Sequence, residues 1–258
     1  MYAEERQQAI AQLVTETGRW SVNDLASRFK VTTETVRRDL SSLESIGLVR
    51  RVHGGAVAGD RLAVIDTAIG ERDVAHAEQK DRIAQAALGQ LPVAGGSVLL
   101  DAGTTTSRLA AALPSDLPLV VITHAVPVAA RLAPRGNLDL HLLPGRVRPT
   151  TQAAVGADAV AALGEVRADV AFVGTNGLTL EYGLSTPDIE EAAVKRAMVR
   201  SARRVVVLAD SSKLGVESPV RFATIDQLDV VVTDPGIDAG DRSALERAGI
   251  EVIVASLA

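Results

Sequence analysis

The seven residues from Asp101 to Ser107 carry the clearest chemical signal in the sequence. They read Asp-Ala-Gly-Thr-Thr-Thr-Ser, follow a short apolar run and open a helical pattern. A glycine lets the backbone approach a ligand, and free N–H groups at a helix N-terminus with three threonine hydroxyls suit a phosphate. Because the run lacks the lysine of a P-loop, a threonine-capped helix without a ligand is the alternative.

A pair of arginines, Arg37 and Arg38, carries the second chemical signal. A guanidinium group can fork onto the edge of a guanine or pair with a phosphate. The pair lies in a predicted helix that starts after Thr32 and stops at Gly47. Its apolar stripe is Val36, Leu40 and Leu43, at i, i+4 and i+7. We interpret this helix as a DNA recognition helix; the alternative is a surface helix with a solvated charged face.

The segments before this helix predict two further helices. One covers residues 3–16, and Gly18 ends it. A second, shorter helix opens at Ser21-Val22-Asn23-Asp24, whose spacing resembles a capping box. Two short helices joined by the tight connection Lys30-Val31 form a helix-turn-helix. The predicted core residues of the first helix are Ile10, Leu13 and Val14.

A predicted β-hairpin follows the recognition helix. Short apolar runs between Leu48 and Val57 flank a basic pair and end at a double glycine, which is typical of a wing. Arg50, Arg51 and His53 would lie along DNA phosphates or reach a minor groove. For His53, a turn residue without a role is an equal alternative.

Composition limits the classes of protein that are possible. The 258 residues include no cysteine and only six aromatic side chains, so Val, Ala and Leu must fill the core, which favours a buried parallel sheet. The net charge is −5, yet the stretch 18–57 holds seven basic and four acidic residues, a modest local excess that suits DNA. We expect no signal peptide, because no apolar run follows the charged start, and no membrane helix. We therefore expect a cytoplasmic protein.

The remainder of the chain alternates between apolar strands and helical patterns, which indicates a mostly parallel sheet covered on both faces. A helical pattern first covers residues 76–91. The predicted strands are 97–100, 119–123, 138–143, 170–173, 204–209, 230–233 and 250–254. The predicted helices are 105–112, 126–132, 153–163, 188–202 and 239–248.

Further polar residues follow other predicted strands, where ligands of open α/β sheets bind. Thr123 and His124 end one strand, and the run from Gly174 to Gly177 ends another, although such a turn is often only structural. Lys213 follows a third strand. Glu191 and Lys195 are i,i+4 on a helix, and the alternative for them is a surface ion pair.

The N-terminal pattern resembles the winged helix-turn-helix of the DeoR family of bacterial transcriptional regulators. Two specific motifs carry the resemblance, Thr35-Val36-Arg37-Arg38-Asp39-Leu40 and Arg51-Val52-His53-Gly54-Gly55-Ala56. The family binds operator DNA through these regions. We expect Asp39 to orient an arginine, because its charge would repel phosphate. The resemblance implies these DNA-binding residues: Thr33, Thr35, Arg37, Arg38, Arg50, Arg51 and His53.

The polar clusters further on resemble the effector domain of the same family, which is similar to ribose-5-phosphate isomerase and binds a phosphorylated sugar. The family commonly has Thr-Asn where Thr123-His124 stands, and Gly-Gly where Pro144-Gly145 stands, so His124 could shift the sugar preference. The general pattern is most similar to fructose-operon repressors. The effector-binding residues expected are Asp101, Gly103, Thr104, Thr105, Thr106, Thr123, His124, Gly174, Asn176, Glu191, Lys195 and Lys213.

The leading hypothesis is a repressor with a DNA-binding domain at 1–57, a linker at 58–75 and an effector domain at 76–258. Its partners would be double-stranded operator DNA, a phosphorylated sugar and further copies of the chain, in a dimer or tetramer. An isomerase or deaminase with an accessory DNA-binding head is the alternative, and a scaffold without a ligand is a third. We expect no cofactor and no metal, because the histidines lack paired spacing.

Overall fold

The computed structural model describes residues 3–45, 49–52, 55–58 and 73–256. The chain divides into two compact units, Met1–Leu62 and Ala63–Ala258. We call them the N-terminal unit and the C-terminal unit and describe each by itself. Within the described ranges, no helix has both the length and the apolar character needed to cross a bilayer.

The described residues of the N-terminal unit include three helices, which confirm the predicted helix-turn-helix. They are α1 (Ala3–Thr17), α2 (Val22–Phe29) and α3 (Thr33–Ser45). They pack around one apolar cluster, to which α3 contributes Val36, Leu40 and Leu43 at the predicted spacing. In α1, Ile10 and Val14 are buried, whereas Leu13 is partly exposed. The predicted stop at Gly47 lies outside the described residues.

Local hydrogen bonds explain where the helices begin. The Ser21 hydroxyl accepts from the Asp24 amide at 3.0 Å and caps α2, as its spacing predicts. The Thr32 hydroxyl accepts from the Thr35 amide at 3.2 Å and caps α3. Between these helices Lys30 adopts a left-handed conformation, with φ of 52°, which makes the connection tight.

A three-stranded antiparallel sheet completes the N-terminal unit. Its strands are β1 (Arg19–Ser21), β2 (Val49–Val52) and β3 (Gly55–Ala58), in the order β1-β3-β2. The predicted hairpin is therefore confirmed, and β1 is an addition that the sequence did not predict. At Gly55, which pairs with Ser21, a Cβ atom would lie 2.1 Å from the Trp20 carbonyl oxygen, so this contact requires glycine.

The C-terminal unit alternates between strands and helices. Its strands are β4 (Ser97–Leu100), β5 (Leu119–Thr123), β6 (Leu138–Leu142), β7 (Arg146–Arg148), β8 (Ala153–Val155), β9 (Ala168–Gly174), β10 (Gly177–Thr179), β11 (Gly183–Thr186), β12 (Ala202–Leu208), β13 (Val220–Ala223), β14 (Val230–Thr233) and β15 (Glu251–Val254). Its helices are α4 (Ala77–Ala87), α5 (Thr104–Ala112), α6 (Val126–Leu132), α7 (Ala157–Gly164), α8 (Ile189–Arg200) and α9 (Ala239–Arg247). Short 3-10 helices lie at Leu88–Gln90, Ser211–Lys213 and Ile225–Gln227.

A seven-stranded parallel sheet forms the centre of this unit, in the order β15-β14-β12-β9-β4-β5-β6. All seven predicted strands belong to it. Alternate strand residues enter two separate apolar clusters, one on each face. Residues of α4, α5 and α6 pack on one face, and residues of α7, α8 and α9 pack on the other. The predicted α/β architecture with a mostly parallel sheet is confirmed.

The predicted helix at 153–163 is wrong in its first residues. Ala153–Val155 form strand β8, which pairs antiparallel with β7, and α7 begins only at Ala157. All three residues of β8 are buried, so this run has no exposed face of the kind that a surface helix shows. Gly156, at φ of 109°, separates the strand from the helix. The small sheet β10-β11-β13 was also not predicted.

Candidate functional site

A cleft of about 540 Å³, including its open mouth, lies beyond the carboxyl ends of β4, β9 and β12. Gly103 lines it after β4, Gly174 lines it at the end of β9, and Asp210 lines it after β12. This is the edge at which ligands of open α/β sheets bind. The cleft belongs entirely to the C-terminal unit.

The loop from Ala102 to Thr106 forms one wall of the cleft. Gly103 is extended and precedes the first turn of α5. In that turn the amides of Thr104, Thr105 and Thr106 precede the first intrahelical donor, Ser107, which donates to the Gly103 carbonyl at 2.9 Å. The Thr106 hydroxyl donates to the same carbonyl at 3.0 Å and fixes the loop. The wall therefore offers N–H donors and two further hydroxyls to an anion.

Asp101 lies beneath this loop and is completely buried. Its Oδ2 atom accepts from the Gly174 amide at 2.8 Å and from the ammonium of Lys195, which also donates to the Gly174 carbonyl at 3.1 Å. Burial alone would raise the pKa of Asp101, but Lys195 and His124 outweigh it and hold the pKa at about 2. Asp101 therefore stays ionised and fixes Lys195, which lines the cleft.

His124 is also completely buried and acts from below the loop. Its Nδ1 atom lies 3.0 Å from the Ala154 carbonyl oxygen, which can only accept, so Nδ1 is the donor. Its Nε2 atom lies 3.0 Å from the Ala102 amide nitrogen and 3.0 Å from Oδ1 of Asp101. His124 thus positions the first residue of the loop, and it is not among the described residues that line the cleft.

Basic side chains also line the cleft. His76, Lys80 and Lys213 line it together with the carboxylate of Asp210. Burial acts to raise the pKa of Asp210, but Lys213, Ser212, His76 and Lys80 together lower it. With Lys195, three ammonium groups face two carboxylates, those of Asp210 and of Asp101 beneath the loop, which leaves a net positive charge. This balance of charge favours an anionic ligand.

Five of the expected ligand residues lie outside the cleft lining: Asp101 and His124, which lie beneath the loop, and Thr123, Asn176 and Glu191. The Thr123 hydroxyl donates to the Leu100 carbonyl at 2.7 Å and accepts from the Ala125 amide at 3.1 Å. The Asn176 side-chain oxygen accepts from Thr186. Glu191, buried on α8, lies 2.8 Å from Nη1 of Arg148. Glu191 is thus held by a guanidinium group of β7. The structure brings these expected residues together at the cleft: Gly103, Thr104, Thr105, Thr106, Gly174, Lys195 and Lys213.

Sequence reasoning missed four polar residues of the cleft: His76, Lys80, Thr175 and Asp210. Asp210 precedes Lys213 in the same short run, so its proximity was available from the sequence. His76 directly precedes α4, and Lys80 lies in its first turn. They reach the cleft because α4 packs beside α5, with Ile83 and Ala84 in the same apolar cluster as residues of α5. Spacing along the chain contains no signal for that contact.

The N-terminal unit presents the second candidate surface on α3. Arg37 and Arg38 are exposed, while Thr33 and Thr35 are partly buried. Nη1 of Arg37 lies 3.5 Å from the carboxylate of Glu34, a weak surface ion pair in which the Arg37 side chain is 55% exposed. Both arginines are therefore accessible on the helix that the sequence predicts to read DNA.

Asp39 lies on the buried side of α3 and is 3% exposed. Its carboxylate accepts from Nε of Arg6 at 2.6 Å and from the side-chain amide of Gln7, Nε2, at 3.0 Å, both on α1. Asp39 raises the pKa of Arg6. As expected, Asp39 orients an arginine, and the partner comes from the first helix of the unit. This contact joins α1 to the helix that carries Arg37.

The wing residues are only partly described. Arg50 and Arg51 lie on β2, opposite Val57 and Ala56 of β3. His53 lies outside the described residues, as does most of the predicted linker at 58–75. The backbone pairing of β2 with β3 therefore places Arg50 and Arg51 on the hairpin.

Two family models match the chain. The DeoR-like helix-turn-helix domain matches residues 6–61, and the DeoR C terminal sensor domain matches residues 75–235. The chain belongs to the DeoR family of transcriptional regulators. It is a DNA-binding regulator rather than an enzyme, as the sequence predicts.

Relatives match over nearly the whole chain. The HTH-type transcriptional regulator GlpR of Haloferax volcanii is 38% identical and covers 98% of both chains. The uncharacterized HTH-type transcriptional regulator FruR of Bacillus subtilis is 33% identical over 91% of this chain and 92% of its own. The glycerol-3-phosphate regulon repressor of Escherichia coli is 30% identical over 89% and 90%. A ribose 5-phosphate isomerase from Methanocaldococcus jannaschii aligns over 54% of each chain, with 19% identity and a TM-score of 0.40.

Proposed function

We propose that this protein represses a sugar-utilisation operon and that a phosphorylated sugar bound in the cleft controls it. One observation carries the proposal: a helix with two exposed arginines and a cleft with three lysines at a helix N-terminus occur in one chain. The arginines suit DNA, and the cleft suits a phosphate. The name of one relative, glycerol-3-phosphate regulon repressor, supports repression of genes for a phosphorylated compound. The resemblance to fructose-operon repressors makes fructose 1-phosphate a first probe.

The proposed domain limits are those of the sequence analysis: a DNA-binding domain at 1–57, a linker at 58–75 and an effector domain at 76–258. A homo-oligomer, dimer or tetramer, would place two DNA-binding domains on a symmetric operator. Such a protein would act in the cytoplasm, where its operator and its effector are both present. The proposed DNA contacts are Thr33, Thr35, Arg37, Arg38, Arg50, Arg51 and His53.

Within the proposed effector domain, the phosphate would bind the loop at Gly103–Thr106 with Lys195 and Lys213. Asp101 and His124 would hold that loop from beneath, through Lys195 and the Ala102 amide. Thr123, Asn176 and Glu191 are engaged in contacts outside the cleft lining. We therefore propose that they support the site and do not touch the phosphate.

Arg37→Ala is expected to weaken operator binding by about 1–3 kcal/mol if Arg37 forms a bidentate contact with a base. Fluorescence anisotropy on DNA from upstream of the gene's own operon measures this change. Arg242→Ala is the matched control, because Arg242 forms only an exposed pair with Glu246 on α9. An unchanged operator affinity for the Arg37 variant would contradict the assignment of α3 as the recognition helix.

A phosphorylated sugar is expected to raise the melting temperature of the C-terminal unit, because it binds only the folded form. Fructose 1-phosphate and glycerol 3-phosphate are the first probes, with fructose and glycerol as unphosphorylated controls. Lys213→Ala should weaken binding by about 1.5–3 kcal/mol, the usual value of a hydrogen bond to a charged group. The effector proposal fails if no sugar phosphate shifts the melting temperature.

A further inference from the structure

We propose that the segment Asp73–His76 carries the signal of effector binding from the cleft towards the N-terminal unit. This inference rests on the proposed function and names how the same site would be regulated. The chain passes from the N-terminal unit into the C-terminal unit before α4. These four residues come directly before that helix, so they lie on the covalent path between the two units. A change in the backbone conformation of these residues therefore acts on the part of the chain that connects the cleft to the DNA-binding residues.

The segment forms part of the wall of the cleft. Ala75 and His76 line it beside the loop at Gly103–Thr106. His76 adopts a left-handed conformation, with φ of 53° and ψ of 36°, at the position before α4. Such a conformation is uncommon for a residue with a side chain and persists when its surroundings hold it. A ligand that fills the cleft would thus contact the segment directly.

Two hydrogen-bonding side chains hold the segment in place. Lys80 is 5% exposed and lines the cleft. Its ammonium group donates to the Ala75 carbonyl at 2.6 Å. Arg108 donates through Nη2 to the Asp73 carbonyl at 3.1 Å and through Nη1 to the Asp73 carboxylate. Its Nε atom lies 2.8 Å from Asp81 on α4. The contacts of Lys80 and Arg108 therefore connect the segment to the cleft lining and to α5, and the pair with Asp81 joins α5 to α4.

Both contacts would respond to a phosphate. A dianion is a stronger acceptor than a neutral carbonyl, so it competes with Ala75 for the ammonium of Lys80. Arg108 lies on α5, one turn beyond Thr104, whose carbonyl is 3.4 Å from its Nη1 atom. Movement of the first turn of α5 onto a phosphate would therefore move Arg108 as well. The effector then favours one arrangement of the segment over the other, which is the condition for regulation.

The test compares full-length variants that loosen the segment and leave the cleft lining unchanged. Arg108→Gln removes the ion pairs with Asp73 and Asp81, and Asp73→Asn removes only one of them. The Asp73 side chain is 55% exposed, so its variant keeps the test valid if Arg108→Gln does not fold. Arg82→Gln is the matched control, because it removes the Glu78 pair on α4.

The readout is the factor by which a sugar phosphate changes the affinity for DNA from upstream of the gene's own operon. The probe is fructose 1-phosphate or glycerol 3-phosphate, whichever shifts the melting temperature more. We expect roughly 10-fold coupling for the wild type and Arg82→Gln, within the usual range of allosteric effects. For Arg108→Gln and Asp73→Asn we expect less than about 2-fold coupling, with sugar-phosphate affinity within about 3-fold of wild type.

Two results would overturn the inference while leaving the proposed function intact. The first is wild-type coupling in both variants. The second is unchanged hydrogen exchange at the amides of residues 73–80 when the same sugar phosphate saturates the wild type. If neither sugar phosphate binds the wild type, the proposed function itself fails and takes this inference with it.

Discussion

Asp101→Asn is expected to lower the free energy of unfolding of the C-terminal unit by about 3–5 kcal/mol, the usual cost of leaving a buried charge without its partner. Asp101 is fully buried and Lys195 is 3% exposed, so water cannot replace the lost carboxylate. The amide offers a single accepting oxygen to the Gly174 amide and the Lys195 ammonium, which both donate to Oδ2 now.

Urea denaturation followed by circular dichroism measures this cost, analysed with separate transitions because the chain has two units. Asp241→Asn, an exposed carboxylate on α9, is the control and should change stability by less than about 0.5 kcal/mol. The double variant Asp101→Asn with Lys195→Met should be more stable than Asp101→Asn, because no buried charge is left unpaired. A loss below about 1 kcal/mol for Asp101→Asn would show that Lys195 finds another partner.

The carboxylate of Asp101 also makes the stability of the C-terminal unit depend on pH. Its pKa is about 2 in the folded protein and 3.8 in its reference state. Because the folded pKa is depressed, the stabilisation is complete above about pH 4 and is lost as the pH falls towards 2. Over that window the wild type should lose more stability than Asp101→Asn. Parallel acid denaturation curves for the two proteins would contradict this assignment.

The regular part of the fold was predictable because its signals are local. The seven central strands are continuous apolar runs, and the helices that cover them repeat their apolar residues with helical spacing. Thr32 and Ser21 identify helix starts by short-range caps. In contrast, β7 and β8 are a short antiparallel pair of three residues each, and so short a run carries too little periodicity to separate a strand from the start of a helix. The run at 153–155 was therefore taken as helix.

The candidate site divides in the same way. The loop at 101–107 and Lys213 follow strands, so the edge at which they meet was predictable. Glu191 and Lys195 are one turn apart on α8, yet Lys195 lines the cleft and Glu191 contacts Arg148. Packing decides which of the two side chains faces the ligand. The pairing of Asp39 with Arg6, 33 residues away, likewise depends on helix packing.

Phe172→Ala is expected to cost about 3–5 kcal/mol of stability in the C-terminal unit, because it leaves a cavity in a close-packed core. The chain has three phenylalanines, and Phe172 is fully buried at the centre of the sheet, between Leu100 of β4 and Val206 of β12. Smaller side chains dominate the surrounding cluster, so they cannot fill the space without moving their backbones.

The cavity would lie in the apolar cluster that also holds Ala102 and Leu208, two residues that line the cleft. The Phe172 carbonyl accepts from the Asp101 amide at 3.1 Å, so a shift in β9 reaches the residue that fixes Lys195. Phe172→Leu keeps most of the volume and should cost less than about 1.5 kcal/mol. The increase in melting temperature caused by a sugar phosphate should be smaller for the Ala variant than for the Leu variant. Equal stability of the two variants would mean that the core closes around the missing ring, and the site would then tolerate movement of β9.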